Sequence, residues 1–189
     1  MSDWKISRTI VGEEEMAPRQ VVAYVGKDGD MGMHTHDLGG PAGSCDYEYF
    51  TWVKKKHRDK LIIALLGNLY ADMYSCPSEF EDLMTENGIP SERFRDWKES
   101  KTIVGDDDSA NRQVVAYVDK DGSVGLQVHD LGGPRGKEDS EFYVSVKAGE
   151  KDKMIIALME KLFAGKDSCP EDFRSLMEKN GVPCELYVI

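Results

Sequence analysis

The chain is short of long apolar runs. None exceeds the six residues from Leu61 to Leu66, whereas a membrane-crossing helix needs about 20. The opening residues, Met1-Ser2-Asp3-Trp4-Lys5, lead into no apolar signal region. The expected compartment is therefore the cytoplasm, with no membrane partner. Cysteine is sparse: Cys45, Cys76, Cys169 and Cys184, with no C-x-x-C pair. That spacing excludes a zinc knuckle and a thioredoxin-like motif, and points to reduced thiols. Positive charge is in deficit. With 24 Lys and Arg against 35 Asp and Glu, the formal net charge is -11. The average field repels nucleic acid and anionic membranes, and attracts a basic protein. Familiar enzyme signatures are missing too. There is no P-loop, no dinucleotide fingerprint, no G-x-S-x-G elbow and no H-E-x-x-H helix.

What the chain does contain, it contains twice. Shifted by 93 positions, it aligns to itself without a gap. His36-Asp37-Leu38-Gly39-Gly40-Pro41 returns as His129-Asp130-Leu131-Gly132-Gly133-Pro134. Asp3-Trp4-Lys5 returns as Asp96-Trp97-Lys98, and Arg19 to Val25 as Arg112 to Val118. Two copies are too few for a solenoid, which needs about three. They indicate two domains, residues 1–95 and 96–189, each of a size that can close its own core. No Pro, Gly or Ser spacer separates them. Close packing with a pseudo-twofold relation is therefore expected.

Read in order, one copy is β-β-β-β-α-α-β. Trp4 to Val11 and Gln20 to Gly26 are strands, the second rich in β-branched and aromatic residues. Lys27-Asp28-Gly29, like Lys120-Asp121-Gly122, signals a tight hairpin. From Met31 to Asp37, apolar Met31 and Met33 alternate with Gly32, His34 and His36. That places both His36 and His129 on the face away from the apolar side. Asp46 to Lys54 is an aromatic strand carrying Tyr47, Tyr49, Phe50 and Trp52. The period then lengthens. Leu61, Ile62, Leu65, Leu66 and Leu69 define a buried helix within Asp59 to Ala71. A second helix starts at Ser75-Cys76-Pro77 and ends at Asn87-Gly88. A short strand follows, Glu92 to Asp96 in one copy and Glu185 to Ile189 in the other. Strands followed by helices predict an α+β fold, with an antiparallel sheet covered on one face.

Four features invite a functional reading. A His-Asp pair, His36-Asp37 or His129-Asp130, suits metal binding or acid–base work. His34 shares a face with His36, but Gln127 stands at its counterpart position. Aspartate with two glycines also simply closes a strand in a turn. The loop is therefore a structural turn first. Second, it is a binding loop in which Gly39, Gly40, Gly132 and Gly133 expose backbone N–H groups. Cys76 and Cys169 lie in a helix first turn, where the dipole favours a thiolate, though a small buried residue fits equally. Glu13-Glu14-Glu15 and Asp106-Asp107-Asp108 resemble no EF-hand loop and read as solvated acidic tips available for docking. Lys54-Lys55-Lys56-His57-Arg58 is basic, but its counterpart Lys147-Ala148-Gly149-Glu150-Lys151 is not.

No catalytic residue, metal or cofactor is assigned. The expected function is non-enzymatic binding of a protein, such as a basic one, through acidic loops and an aromatic strand surface. The chain is expected to be an internal pseudo-dimer, monomeric or weakly dimeric. The alternative is a small-ligand protein or enzyme with a site at each His-Asp-Leu-Gly-Gly-Pro loop.

Overall fold

Strand alternation and helical periodicity both appear in the backbone. The computed structural model describes residues 4–12, 19–37, 47–70, 76–92, 97–104, 112–130, 140–166 and 169–188. The first four strands are β1 (Trp4–Val11), β2 (Arg19–Gly26), β3 (Met31–Asp37) and β4 (Tyr47–Val53). Helices α1 (Arg58–Tyr70) and α2 (Cys76–Glu86) follow, then β5 (Ser91–Glu92). The order continues with β6 (Trp97–Val104), β7 (Arg112–Asp119), β8 (Val124–Asp130) and β9 (Ser140–Val146). Helices α3 (Lys151–Phe163) and α4 (Cys169–Lys179) lead to β10 (Cys184–Val188). The fold is α+β, and among the described residues every strand pairing is antiparallel.

The sheets run β1-β2-β3-β4-β10 and β5-β9-β8-β7-β6. The last strand of the chain thus completes the sheet begun by the first. Two compact units result: residues 1–64 with 158–189, and residues 65–157. They cut across the sequence halves 1–95 and 96–189. The division falls inside α1 and inside α3.

In the first unit, Val21, Ala23, Val25, Met31, Met33, Thr35, Thr51 and Val53 are buried on one sheet face. Helix α4 packs against β3 and β10, and Phe163 meets Phe173 edge-on at 6.1 Å. Arg8 forms an ion pair with Glu160, and Gly165 donates its N–H to the Ile10 carbonyl at 3.0 Å. In the second unit, α2 packs against β5, β8 and β9. Tyr70 meets Phe80 edge-on, also at 6.1 Å.

The β2–β3 and β7–β8 hairpins turn at Asp-Gly. Gly29 and Gly122 take φ of +90° and +87°, a region that L side chains seldom enter. Asp28 accepts the Asp30 N–H at 3.1 Å, and Asp121 accepts the Ser123 N–H at 2.8 Å. Each turn is thereby locked by its own aspartate.

Candidate functional site

With Met31, Met33 and Thr35 in the core, Gly32, His34 and His36 must point the other way. Register extends this face across four strands. One row runs Tyr24, Gly32, Trp52, Glu185, and the next Val22, His34, Phe50, Tyr187. Gly32 contributes no side chain between Tyr24 and Trp52, so the floor there is bare backbone. The strands also approach closely at that point. A Cβ on Gly32 would lie 1.9 Å from the Thr51 carbonyl oxygen. The outcome is a recess of about 320 Å³, walled by Tyr24, Phe50, Trp52 and Tyr187, with Asp28, Asp30 and Lys54 at one end.

The wall is braced by ring contacts. Trp4 stacks on Tyr24 at 5.5 Å, and His34 on Phe50 at 4.3 Å. Trp4 also touches His34, at 5.6 Å. Such pairs contribute about 0.5–1.5 kcal/mol each beyond area burial. Tyr187 stands apart from these stacks and is 56% exposed.

Charge gathers at the hairpin end. Asp30 accepts the Lys55 N–H at 2.9 Å and pairs with the Lys54 ammonium at 3.0 Å. The same ammonium is 3.7 Å from Glu185 and 5.2 Å from the Trp52 ring centroid. Its hydrogen bond to Asp30 raises the Lys54 pKa, so Lys54 stays a cation. Burial, helped by Asp30 and Asp28, pushes the Tyr24 phenol up, so it stays neutral.

His34 behaves as an aromatic side chain rather than a ligand. Its side chain is 13% exposed, and its Nε2 lies 3.9 Å from Glu48. Burial lowers its pKa; Glu48 opposes this and His36 assists. A depressed folded pKa means the unfolded chain binds the proton first. The stability contribution is complete above the ordinary imidazole value, near 6.5, and is lost as pH falls through the folded value. Melting temperatures from pH 7.5 down to 5 should therefore fall faster in the wild type than in His34→Gln. Parallel curves would show that His34 makes no such contribution.

Position by position, the second sheet differs. The corresponding row is Tyr117, Gly125, Ser145. The Tyr117 hydroxyl lies 2.9 Å from where a Gly125 Cβ would sit. Burial, helped by Asp119, pushes its pKa up to about 12, so it stays neutral. Gln127 donates to the Tyr143 hydroxyl at 3.1 Å. The space above that glycine is taken by the protein's own phenol.

The residues singled out along the sequence fall elsewhere. His36 sits in β3 between Gln20 and Glu48, and Asp37 closes the strand opposite Arg19 and Tyr47. His129 and Asp130 close β8 in the same register, opposite Gln113 and Arg112. Gly39, Gly40, Gly132 and Gly133 lie outside the described residues, as do both acidic runs and Cys45. Cys76 and Cys169 are the first residues of α2 and α4. Cys184 begins β10 as a half-buried free thiol. Burial pushes its pKa up to about 11, which leaves it a poor nucleophile at neutral pH. Of the basic run, Lys54 alone lines the recess. No group of three or more potential metal ligands occurs among the described residues. No described helix is long and apolar enough to cross a membrane.

Sequence reading pointed to aromatic strand surface, through Phe50 and Trp52, but not to Trp4, Tyr24, Asp28, Asp30 or Tyr187. A usable signal existed in the glycine of the alternating strand. Gly32 faces outward in a row of aromatics. No protein-family model, curated protein or solved structure matches the chain.

Proposed function

We propose that this chain is a non-enzymatic binding protein, and that the aromatic face of its first sheet receives a positively charged protein partner. The observation that supports this reading is the recess itself. Four aromatic rings surround bare backbone, with Asp28 on the wall, and Asp30 and Glu185 flank the Lys54 ammonium. Tyr and Trp are the residues that interfaces favour, because they bury large area at little entropic cost. Tyr187, 56% exposed on the edge strand, carries the apolar surface on toward the sheet edge. The overall charge of -11 steers a basic partner toward the molecule. The duplicated sequence supplies one such face and a filled counterpart, and the acidic runs add to the field.

The test is affinity capture with the wild type and with the double variant Trp52→Ser, Tyr187→Ser. Serine is compatible with this strand register, since Ser145 occupies the counterpart of Trp52. Partners held by the wild type should be weakened about 30-fold or more by losing two central aromatic anchors. Binding should also fall with added salt. Equal capture by the double variant would overturn the reading.

A further inference from the structure

We infer that the recess is an alkylammonium site, filled by a lysine side chain of the partner seated against Trp52 and Tyr187, with Asp28, Asp30 and Glu185 as counter-charges. This rests on the reading of the face as a partner site.

The first argument is that the protein already places an ammonium there. Lys54 Nζ lies 5.2 Å from the Trp52 ring centroid, within the range of about 6 Å over which a cation is drawn to an aromatic face. The ring is thus presented with its electron-rich side toward a charge. A second argument is the placing of charge. Two carboxylates, Asp30 and Glu185, already hold the Lys54 ammonium at 3.0 and 3.7 Å beside uncharged rings, so the groups that would meet a second ammonium are in place. Third, the space is real. Gly32 leaves its row empty between Tyr24 and Trp52, and the resulting volume is about 320 Å³. A lysine stem packs on the rings while its head meets the carboxylates.

Lys54 on this view is a placeholder. It occupies the ring and carboxylates until a second ammonium competes for them. That makes a prediction of definite sign: removing Lys54 strengthens cation binding. Were Lys54 instead the ligand for an anion, removing it would weaken binding.

The experiment is a titration of the full chain followed by the Trp52 indole N–H resonance, assigned by its loss in Trp52→Ser. The probes are choline, its neutral carbon isostere 3,3-dimethyl-1-butanol, and inorganic phosphate. Choline should shift the resonance saturably, with the isostere weaker by about tenfold, the value of a cation–π contact plus counter-charge. Lys54→Ala should tighten choline binding several-fold. Glu185→Gln, an exposed edge position, should loosen it without affecting the fold. Choline affinity followed at the Tyr187 ring should fall about tenfold in Trp52→Ser.

Equal binding of the isostere, weaker choline binding in Lys54→Ala, or a response to phosphate alone would overturn the ammonium assignment. If choline fails while the Trp52→Ser, Tyr187→Ser double variant still loses its captured partners, the cation assignment falls and the partner face stands. If choline binds but capture is unchanged by the double variant, the partner reading falls, and with it the lysine as occupant.

Discussion

A fragment comprising residues 1–95 is expected not to fold as a monomer. It retains β1 to β4 but lacks β10, which closes the sheet along β4 through five residue pairs from Cys184 to Val188. It also lacks α4, which packs on β3 and brings Phe173 and Met177, both fully buried, into that core. The fragment's own α2 and β5 belong to the other unit, packed on β8 and β9. Its own α2 is the nearest substitute for the missing α4. Phe80, Leu83 and Met84 repeat the spacing of Phe173, Leu176 and Met177. A second copy of the fragment can supply these, so the folded form should be a dimer by exchange of α2 and β5. Sedimentation should show dimer or unfolded chain across micromolar concentrations. Co-expression with residues 96–189 should give a one-to-one complex with the circular dichroism of the whole protein. A well-folded monomer of 1–95 would contradict the strand order.

The second large effect is expected at Gly32. A Cβ there meets backbone, not a yielding side chain: Thr51 O at 1.9 Å and the Trp52 Cα at 2.7 Å. Only separation of β3 from β4 relieves the overlap, and that breaks ladder hydrogen bonds. Overpacking against softer neighbours costs about 1–3 kcal/mol, so Gly32→Ala should cost about 3 kcal/mol or more. Gly88→Ala is the control. Its φ is +62° with nothing within 4 Å, so it carries conformational strain alone, about 1 kcal/mol. Urea unfolding of both variants decides the matter. If Gly32→Ala is the milder, the close approach at Thr51 is not a constraint. Displacing β4 would also move Trp52 from Tyr24, so Gly32→Ala should lose choline binding as well.

Local order was readable from residue spacing. Leu61, Ile62, Leu65 and Leu66 lie at helical intervals, and α1 spans Arg58–Tyr70. Met31 and Met33 alternate with Gly32 and His34, and β3 spans Met31–Asp37. Pairing between distant segments was not readable, for a physical reason. The apolar stripes of α2 and α4 are the same at Phe80 and Phe173, Leu83 and Leu176, Met84 and Met177. A stripe carries no information about which of two similar sheets it covers. The site was obscured by the same similarity. Stretches identical in both copies, such as His36 to Pro41, draw the eye. The recess instead depends on differences: Trp52 against Ser145, His34 against Gln127, and Asp30 against Ser123.

The place of β10 also governs the order in which the molecule is completed during synthesis. Translation usually lets N-terminal structure close first. Here the unit spanning residues 65–157 is continuous in sequence, whereas the unit begun at the N-terminus needs residues up to 189. The later-starting unit is therefore finished first on the ribosome. Between the emergence of β4 and that of β10 the wait is on the order of ten seconds at ordinary elongation rates. Throughout it, the edge of an aromatic strand is unpaired, which is a hazard for sticking to neighbouring nascent chains. Lys54, Lys55 and Lys56 follow that strand directly, and clustered lysines are how natural sheets discourage such pairing. Charge at the end of β4 opposes such pairing until β10 is in place.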